Sequence, residues 1–299
     1  MSIGRLTLIK APSPQGVILL SKENAMTYAS LIVAVESGEA GDAAVRQAVE
    51  LAARFSAALT GVCTVAVPPL IGDDPFTGGA ALTVLLSDYE ATAEAELLTA
   101  ERRFRALAEG LAVDWRGRIG WPAYVLIEHA RLADLIVMPG RIPRPPYGRS
   151  NPVDIVMSAG RPVLIVPSSA GPALGRPALV AWKDTRESRR AVAGAVPLLK
   201  QASAVRLAQV CAGEDRGDAQ AALVEVATFL ARHGIEVDIE ILSAEDAAAG
   251  NRLLDHARET GCGLLVAGAY GHSRLREWVL GGVTRSLLDR SDLCLLLAH

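Results

Sequence analysis

Leu264-Leu265-Val266-Ala267-Gly268-Ala269-Tyr270-Gly271 is the stretch on which the reading of this chain turns. Four consecutive apolar residues suit a strand buried on both faces of a parallel sheet, and the glycines suit the turn that leaves it. Nine residues beyond Gly271 comes a second cluster, Gly281-Gly282-Val283-Thr284, running into Arg285-Ser286-Leu287-Leu288-Asp289, which reads as a helix start. A strand, a glycine turn and a helix start together can hold an anion. Without Cβ atoms, backbone N–H groups approach a phosphate closely, and the helix start adds partial positive charge. Strand–glycine–helix junctions also serve tight packing in α/β proteins, so local features leave both uses open.

Working outward, the same order of elements occurs twice. Leu253-Leu254-Asp255-His256-Ala257-Arg258 precedes the strand at Leu264, and Leu126-Ile127-Glu128-His129-Ala130-Arg131 precedes a matching run, Leu135-Ile136-Val137. Ser30-Leu31-Ile32-Val33-Ala34-Val35 answers Pro177-Ala178-Leu179-Val180-Ala181-Trp182, and Arg161-Pro162-Val163-Leu164-Ile165-Val166 answers Asp292-Leu293-Cys294-Leu295-Leu296-Leu297. Between these runs lie stretches of helical periodicity, among them Asp42 to Leu59, Ala80 to Gly110, Glu187 to Lys200 and Asp218 to His233. Alternating strands and helices favour right-handed crossovers, hence a parallel sheet covered on both faces. The expected fold class is therefore α/β, with two tandem doubly wound parallel-sheet domains over residues 27–170 and 176–299. Ser168 to Pro177 reads as the linker. Residues 1–26 fit neither copy; an extension, a late-trimmed leader and an expression artefact are equally compatible with them. The two final strands are apolar on both faces and would be aggregation-prone as open edges, so pairing them with each other would close both halves.

Composition narrows the function. The 299 residues carry a net charge of −3 and are 51% apolar and only 4% aromatic. That charge gives no electrostatic case for nucleic acid or an anionic membrane, and no apolar run approaches spanning length. Cys63, Cys211, Cys262 and Cys294 are scattered without a C-x-x-C pair. They read as small buried hydrophobes in a reducing compartment, which points to the cytoplasm. No H-E-x-x-H, Walker loop, G-x-S-x-G or zinc spacing occurs.

The spacing Gly268-x2-Gly271-x9-Gly281, with Gly271-His272-Ser273 and Gly282-Val283-Thr284, resembles the nucleotide loop of the universal stress protein family. The resemblance covers about residues 27–299. It implies the adenine nucleotide alpha hydrolase-like fold with five strands per half, a dimer-like contact between halves, and a cytoplasmic role in stress adaptation. It also implies an ATP or other adenine-nucleotide site, with or without Mg²⁺, lined in the second half by Ala181, Trp182, Lys183, Asp184, Val210, Gly268, Gly271, His272, Gly281, Gly282, Val283 and Thr284. Three positions depart from the pattern. Gly282 stands where the family has Ser or Thr, which removes one donor. Lys183, followed by Asp184, stands where nucleotide-binding members carry Asp. The first half has Pro139-Gly140 followed by the proline- and arginine-rich run Arg141 to Asn151, although its aligned acid, Glu36, is present. Proline lacks the N–H that a phosphate cradle needs.

Among single residues, Arg141, Arg144 and Arg149 read as a basic loop that either binds an anion or is solvated. Lys183 either neutralises a phosphate or pairs with Asp184 or Glu187. The acid–histidine pairs Glu128-His129 and Asp255-His256 do not suit acid–base catalysis, because adjacent helical residues point about 100° apart. Three functions stay open: a nucleotide-binding stress protein, a scaffold with a vestigial site acting through protein contacts, and a slow ATP hydrolase without an identifiable base. The tandem unit, an intramolecular pseudo-dimer, also leaves room for further homodimerisation.

Overall fold

The computed structural model describes residues 27–66, 79–140, 150–211, 216–245, 248–269 and 282–299. The first half runs β1 (Ser30–Ala34), α1 (Glu39–Phe55), β2 (Ala58–Val65), α2 (Gly79–Leu107), β3 (Val113–Ile119), α3 (Pro122–His129), a 3-10 turn, β4 (Leu135–Pro139), α4 (Pro152–Ser158) and β5 (Val163–Val166). The second repeats this order as β6 (Ala178–Ala181), α5 (Arg186–Leu199), β7 (Val205–Cys211), α6 (Arg216–Arg232), β8 (Asp238–Ser243), α7 (Ala249–Glu259), β9 (Leu264–Gly268), α8 (Gly282–Arg290) and β10 (Cys294–Ala298). The described strands form one sheet in the order β3-β2-β1-β4-β5-β10-β9-β6-β7-β8. Each half is parallel throughout, and the halves join through one antiparallel ladder. There Ile165 faces Leu295, Leu164 faces Leu296 and Val163 faces Leu297, all of them buried. The two apolar final strands thus close each other's edges.

Two apolar layers sandwich the sheet. One face carries α1, α2, α5 and α6 over Val33, Val180, Leu207 and Leu296. The other carries α3, α4, α7 and α8 over Ile32, Ile136, Leu265 and Leu295. Neighbouring residues along a strand enter opposite layers, as the two-residue period of the pleat requires. Local chemistry sets the helix starts. The Asn151 side chain accepts from Val153 N at 3.2 Å with Pro152 in the first turn, and Thr185 Oγ1 accepts from Ser188 N at 3.2 Å. Both satisfy N–H groups that a first turn leaves without helical partners. Gly61 lies beneath Phe104, where a Cβ would come within 2.7 Å of the ring.

The linker is pinned to α1 and to the turn after α5. Ala173 N donates to the buried Gln47 Oε1 at 3.0 Å and Gly175 N to Gln201 O at 3.1 Å. Tyr28 of the first half donates to Gly194 O of α5 at 2.6 Å, and Arg54 Nε donates to Gln201 Oε1 at 2.6 Å. On α5, a Cβ at Gly194 would sit 3.0 Å from Pro162, so the absent side chain lets this helix lie against the entry to β5. The halves are joined above the sheet as well as within it.

Gln47→Leu keeps the side chain's bulk but leaves the Ala173 N–H buried without an acceptor, a loss of about 1–3 kcal/mol. Urea denaturation should show a lowered midpoint at unchanged slope.

Candidate functional site

In a parallel sheet, ligands sit beyond the carboxyl ends of the strands where the strand order reverses. Each half reverses once, between β1 and β4 and between β6 and β9. Ladder register makes the two points directly comparable. Leu31 pairs with Leu135 and with Leu59, while Ala178 pairs with Leu264 and with Val205. Ala34, Val35, Glu36, Ser37 and Thr64 of the first half therefore correspond to Ala181, Trp182, Lys183, Asp184 and Val210 of the second. The backbone bonds agree: Val35 N donates to Val62 O at 2.8 Å, and Trp182 N to Ala208 O at 2.8 Å.

Those five first-half residues all line a cleft of about 790 Å³. Its floor is Val62, Cys63 and the end of β1; its walls are one side of α2, the start of α3 at Pro122, and Ser150. Arg103 on α2 is held by Asp42 of α1, through Nε to Oδ1 at 2.6 Å and Nη2 to Oδ2. Burial, followed by the charges of Glu36 and Glu96, pushes the Cys63 thiol up to about 12. The cleft lies in the half whose loop departs from the nucleotide pattern. Sequence reading missed its α2 wall. Its signal was nevertheless present, because Tyr89, Thr92, Glu96, Thr99 and Arg103 recur at three- and four-residue spacing, the repeat of one helix side.

In the second half, Ala181, Trp182, Lys183 and Asp184 follow one another off β6, Val210 lies near the end of β7, and Gly268 ends β9. Gly271, His272 and Gly281 lie outside the described residues, as do Arg141, Arg144 and Arg149. Gly268 has a packing explanation. A Cβ there would fall 2.4 Å from Ser188 N, so the glycine lets the start of α5 close on β9. Gly282, by contrast, opens α8 with free space where a Cβ would stand. Thr284 is buried and Val283 packs against the inner layer. The two acids weighed as partners for Lys183 are held by arginines: Asp184 Oδ1 accepts from Arg189 Nη2 at 2.6 Å, and Glu187 accepts from Arg186 Nε. Trp182 is 8% exposed, and its indole nitrogen has no hydrogen-bond partner among the described residues.

Neither acid–histidine pair acts as a unit. Glu128 accepts from Arg118 Nη1 at 2.6 Å, and that bond holds its carboxyl below the usual carboxylate range. Burial lowers the neighbouring His129. His256 meets Glu240 of β8, while Asp255 accepts from Arg258 at 3.2 Å. All four cysteines are free and buried. Among the described residues no cluster of His, Cys, Asp and Glu could hold a metal ion, and no helix is long and apolar enough to cross a membrane.

Residues 27–167 match the model of the universal stress protein family. No curated protein matches the sequence. Among solved structures, a universal stress protein from Archaeoglobus fulgidus DSM 4304 aligns with a TM-score of 0.67 at 17% identity, over 90% of this chain and 97% of that one. A putative universal stress protein from Pseudomonas aeruginosa UCBPP-PA14 aligns with a TM-score of 0.58 at 18% identity, over 91% and 93% of the two chains. At such identities the likeness is one of fold, and it spans both halves. The first half thus matches the universal stress protein family in sequence, and the second half repeats the same doubly wound α/β architecture.

Proposed function

We propose that this is a cytoplasmic stress-adaptation protein that binds an adenine nucleotide, ATP foremost, at the carboxyl ends of β6 and β9 in its second half. One observation carries the reading: the first-half counterparts of Ala181, Trp182, Lys183, Asp184 and Val210 all line an open cleft, so this is where the fold leaves room for a ligand. The second half adds what the first lacks, a glycine at the end of β9 and another opening α8. In this arrangement the nucleoside lies over Val210 and Trp182. The phosphates meet the first N–H groups of α8, where the helix dipole favours negative charge. Lys183, exposed beside them, offsets further phosphate charge. Any Mg²⁺ would be held mainly by phosphate oxygens. Four buried free thiols suit a reducing compartment.

A second reading is a scaffold with a vestigial site, and two observations favour it. Gly268 is accounted for by packing on α5, and Asp184 is already engaged by Arg189. Under this reading the protein acts through protein contacts and further self-association.

Gly282→Ser separates the two readings. The open space at this position accepts the hydroxymethyl group, and one hydrogen bond to a charged phosphate contributes about 1.5–3 kcal/mol. The nucleotide reading expects ATP affinity by calorimetric titration to rise roughly ten- to a hundred-fold, and Gly271→Val to weaken it. A melting temperature indifferent to millimolar ATP in wild type and Gly282→Ser alike would leave the scaffold. Gly268→Ala should lower the melting temperature with or without nucleotide, because its Cβ meets backbone that has no room to move.

A further inference from the structure

The first-half cleft, at the carboxyl ends of β1 and β2, has a chemistry opposite to that of a phosphate cradle. Its volume of about 790 Å³ lies in the range of small-molecule pockets. Among the described residues nothing around it is arranged for an anion. Ser150 places the start of α4 at its wall. There Pro152 has no N–H to give, Val153 N is taken by the Asn151 side chain at 3.2 Å, and Asp154 stands in the first turn. The first turn of α1 likewise carries Glu39 and Asp42. Arg103, the cation of the lining, is matched by that same Asp42. The hydroxyls of Thr92 and Thr99 donate at 2.8 Å to Asp88 O and Ala95 O of their own helix.

What the lining offers instead is negative charge over an apolar floor. Glu36 stands just past β1 and Glu96 on the α2 wall. Ionised carboxylates only accept hydrogen bonds. Burial, and after it the charges of Glu36 and Glu96, raise the Cys63 thiol, so both carboxylates stand close to one point of the floor. Cys63 itself is 7% exposed, free of any disulfide, and forms no hydrogen bond among the described residues. Val35 and Val62 complete the floor. We propose that this cleft binds an organic cation, a primary ammonium on an apolar body. Glu36 and Glu96 hold the ammonium by charge-assisted hydrogen bonds, and the body lies over Val35, Val62 and Cys63. The ring of Tyr89, at the edge of the cleft, offers the cation a further face. The site is separate from the nucleotide site proposed for the second half, and neither depends on the other.

The test is calorimetric titration of the full-length protein with three molecules of one skeleton: phenethylamine, phenethyl alcohol and hydrocinnamate. The amine should bind about ten-fold tighter than the alcohol, and the carboxylate weakest of the three. Glu36→Gln should remove about that ten-fold, and exposed Glu96→Gln about three-fold. Alcohol binding should stay level in both variants, with thermal melting to confirm that each is folded. Gly282→Ser and saturating ATP should leave the amine titration unchanged, so a failure of the nucleotide reading leaves this one standing. An amine that does not bind, or binds no tighter than the alcohol, overturns the proposal. So does a carboxylate that binds best, an amine indifferent to both glutamate variants, or displacement of the amine by ATP.

Discussion

The antiparallel ladder between Val163–Val166 and Cys294–Ala298 is the constraint on which the rest of this structure depends. Each half ends on a short strand buried on both sides, and such a strand cannot face water along its free edge without inviting another chain. Joining the two ends removes both edges at once and makes ten strands continuous. A parallel junction would have needed a crossover element between the halves. The antiparallel one needs only that the second half be turned around relative to the first. That turn puts α1, α2, α5 and α6 over one face and the other four helices over the opposite face, so the two halves share both apolar layers. Tyr28 on Gly194 then bridges the halves above the sheet, and Gln47 on Ala173 ties the linker to α1.

The same junction separates the two reversal points. Because the strands of one half run opposite to those of the other, their carboxyl ends open at opposite edges of the sheet. The two reversal points cannot share a ligand, and each was free to diverge. At corresponding positions the first half has Glu36 where the second has Lys183, Thr64 where the second has Val210, and Cys63 where the second has Gln209. An acid-bearing cleft over a thiol floor and a basic edge over an indole–amide pair are different chemical environments built on one frame.

The repeat was legible in the sequence because parallel strands buried on both faces show as unbroken apolar runs, and Leu126, His129, Ala130 and Arg131 before β4 recur as Leu253, His256, Ala257 and Arg258 before β9. Element ends shifted by a few residues where capping, rather than periodicity, decides the boundary. Thus α1 begins at Glu39, after Gly38 takes a φ of 99°, and α8 begins at Gly282 rather than Arg285. The cleft was far less legible. Its α2 wall is set by how Phe104 settles over Gly61 and how Arg103 reaches Asp42, contacts 43 and 61 residues apart in the chain. Nor does spacing reveal that Gly268 is required by the backbone of α5: a glycine that admits a helix and one that admits a phosphate are the same letter in a sequence.

This ambiguity bears on how a glycine signature should be read in any doubly wound fold. At the end of a central strand the next helix start must close on the sheet, and absence of a Cβ is demanded whether or not a ligand binds. Gly268 therefore discriminates poorly between a working site and a vestigial one. Positions that packing leaves alone discriminate better. Gly282 has open space around its missing side chain, so nothing in the fold forbids a serine there. Trp182 and Gln209 hold buried polar atoms without a hydrogen-bond partner among the described residues. A vestigial site under selection for stability alone would be expected to replace such atoms with apolar ones, since an unsatisfied buried donor or acceptor costs about 1–3 kcal/mol. The first half, with Val35 and Cys63 at the same places, shows that the fold accepts those less costly side chains.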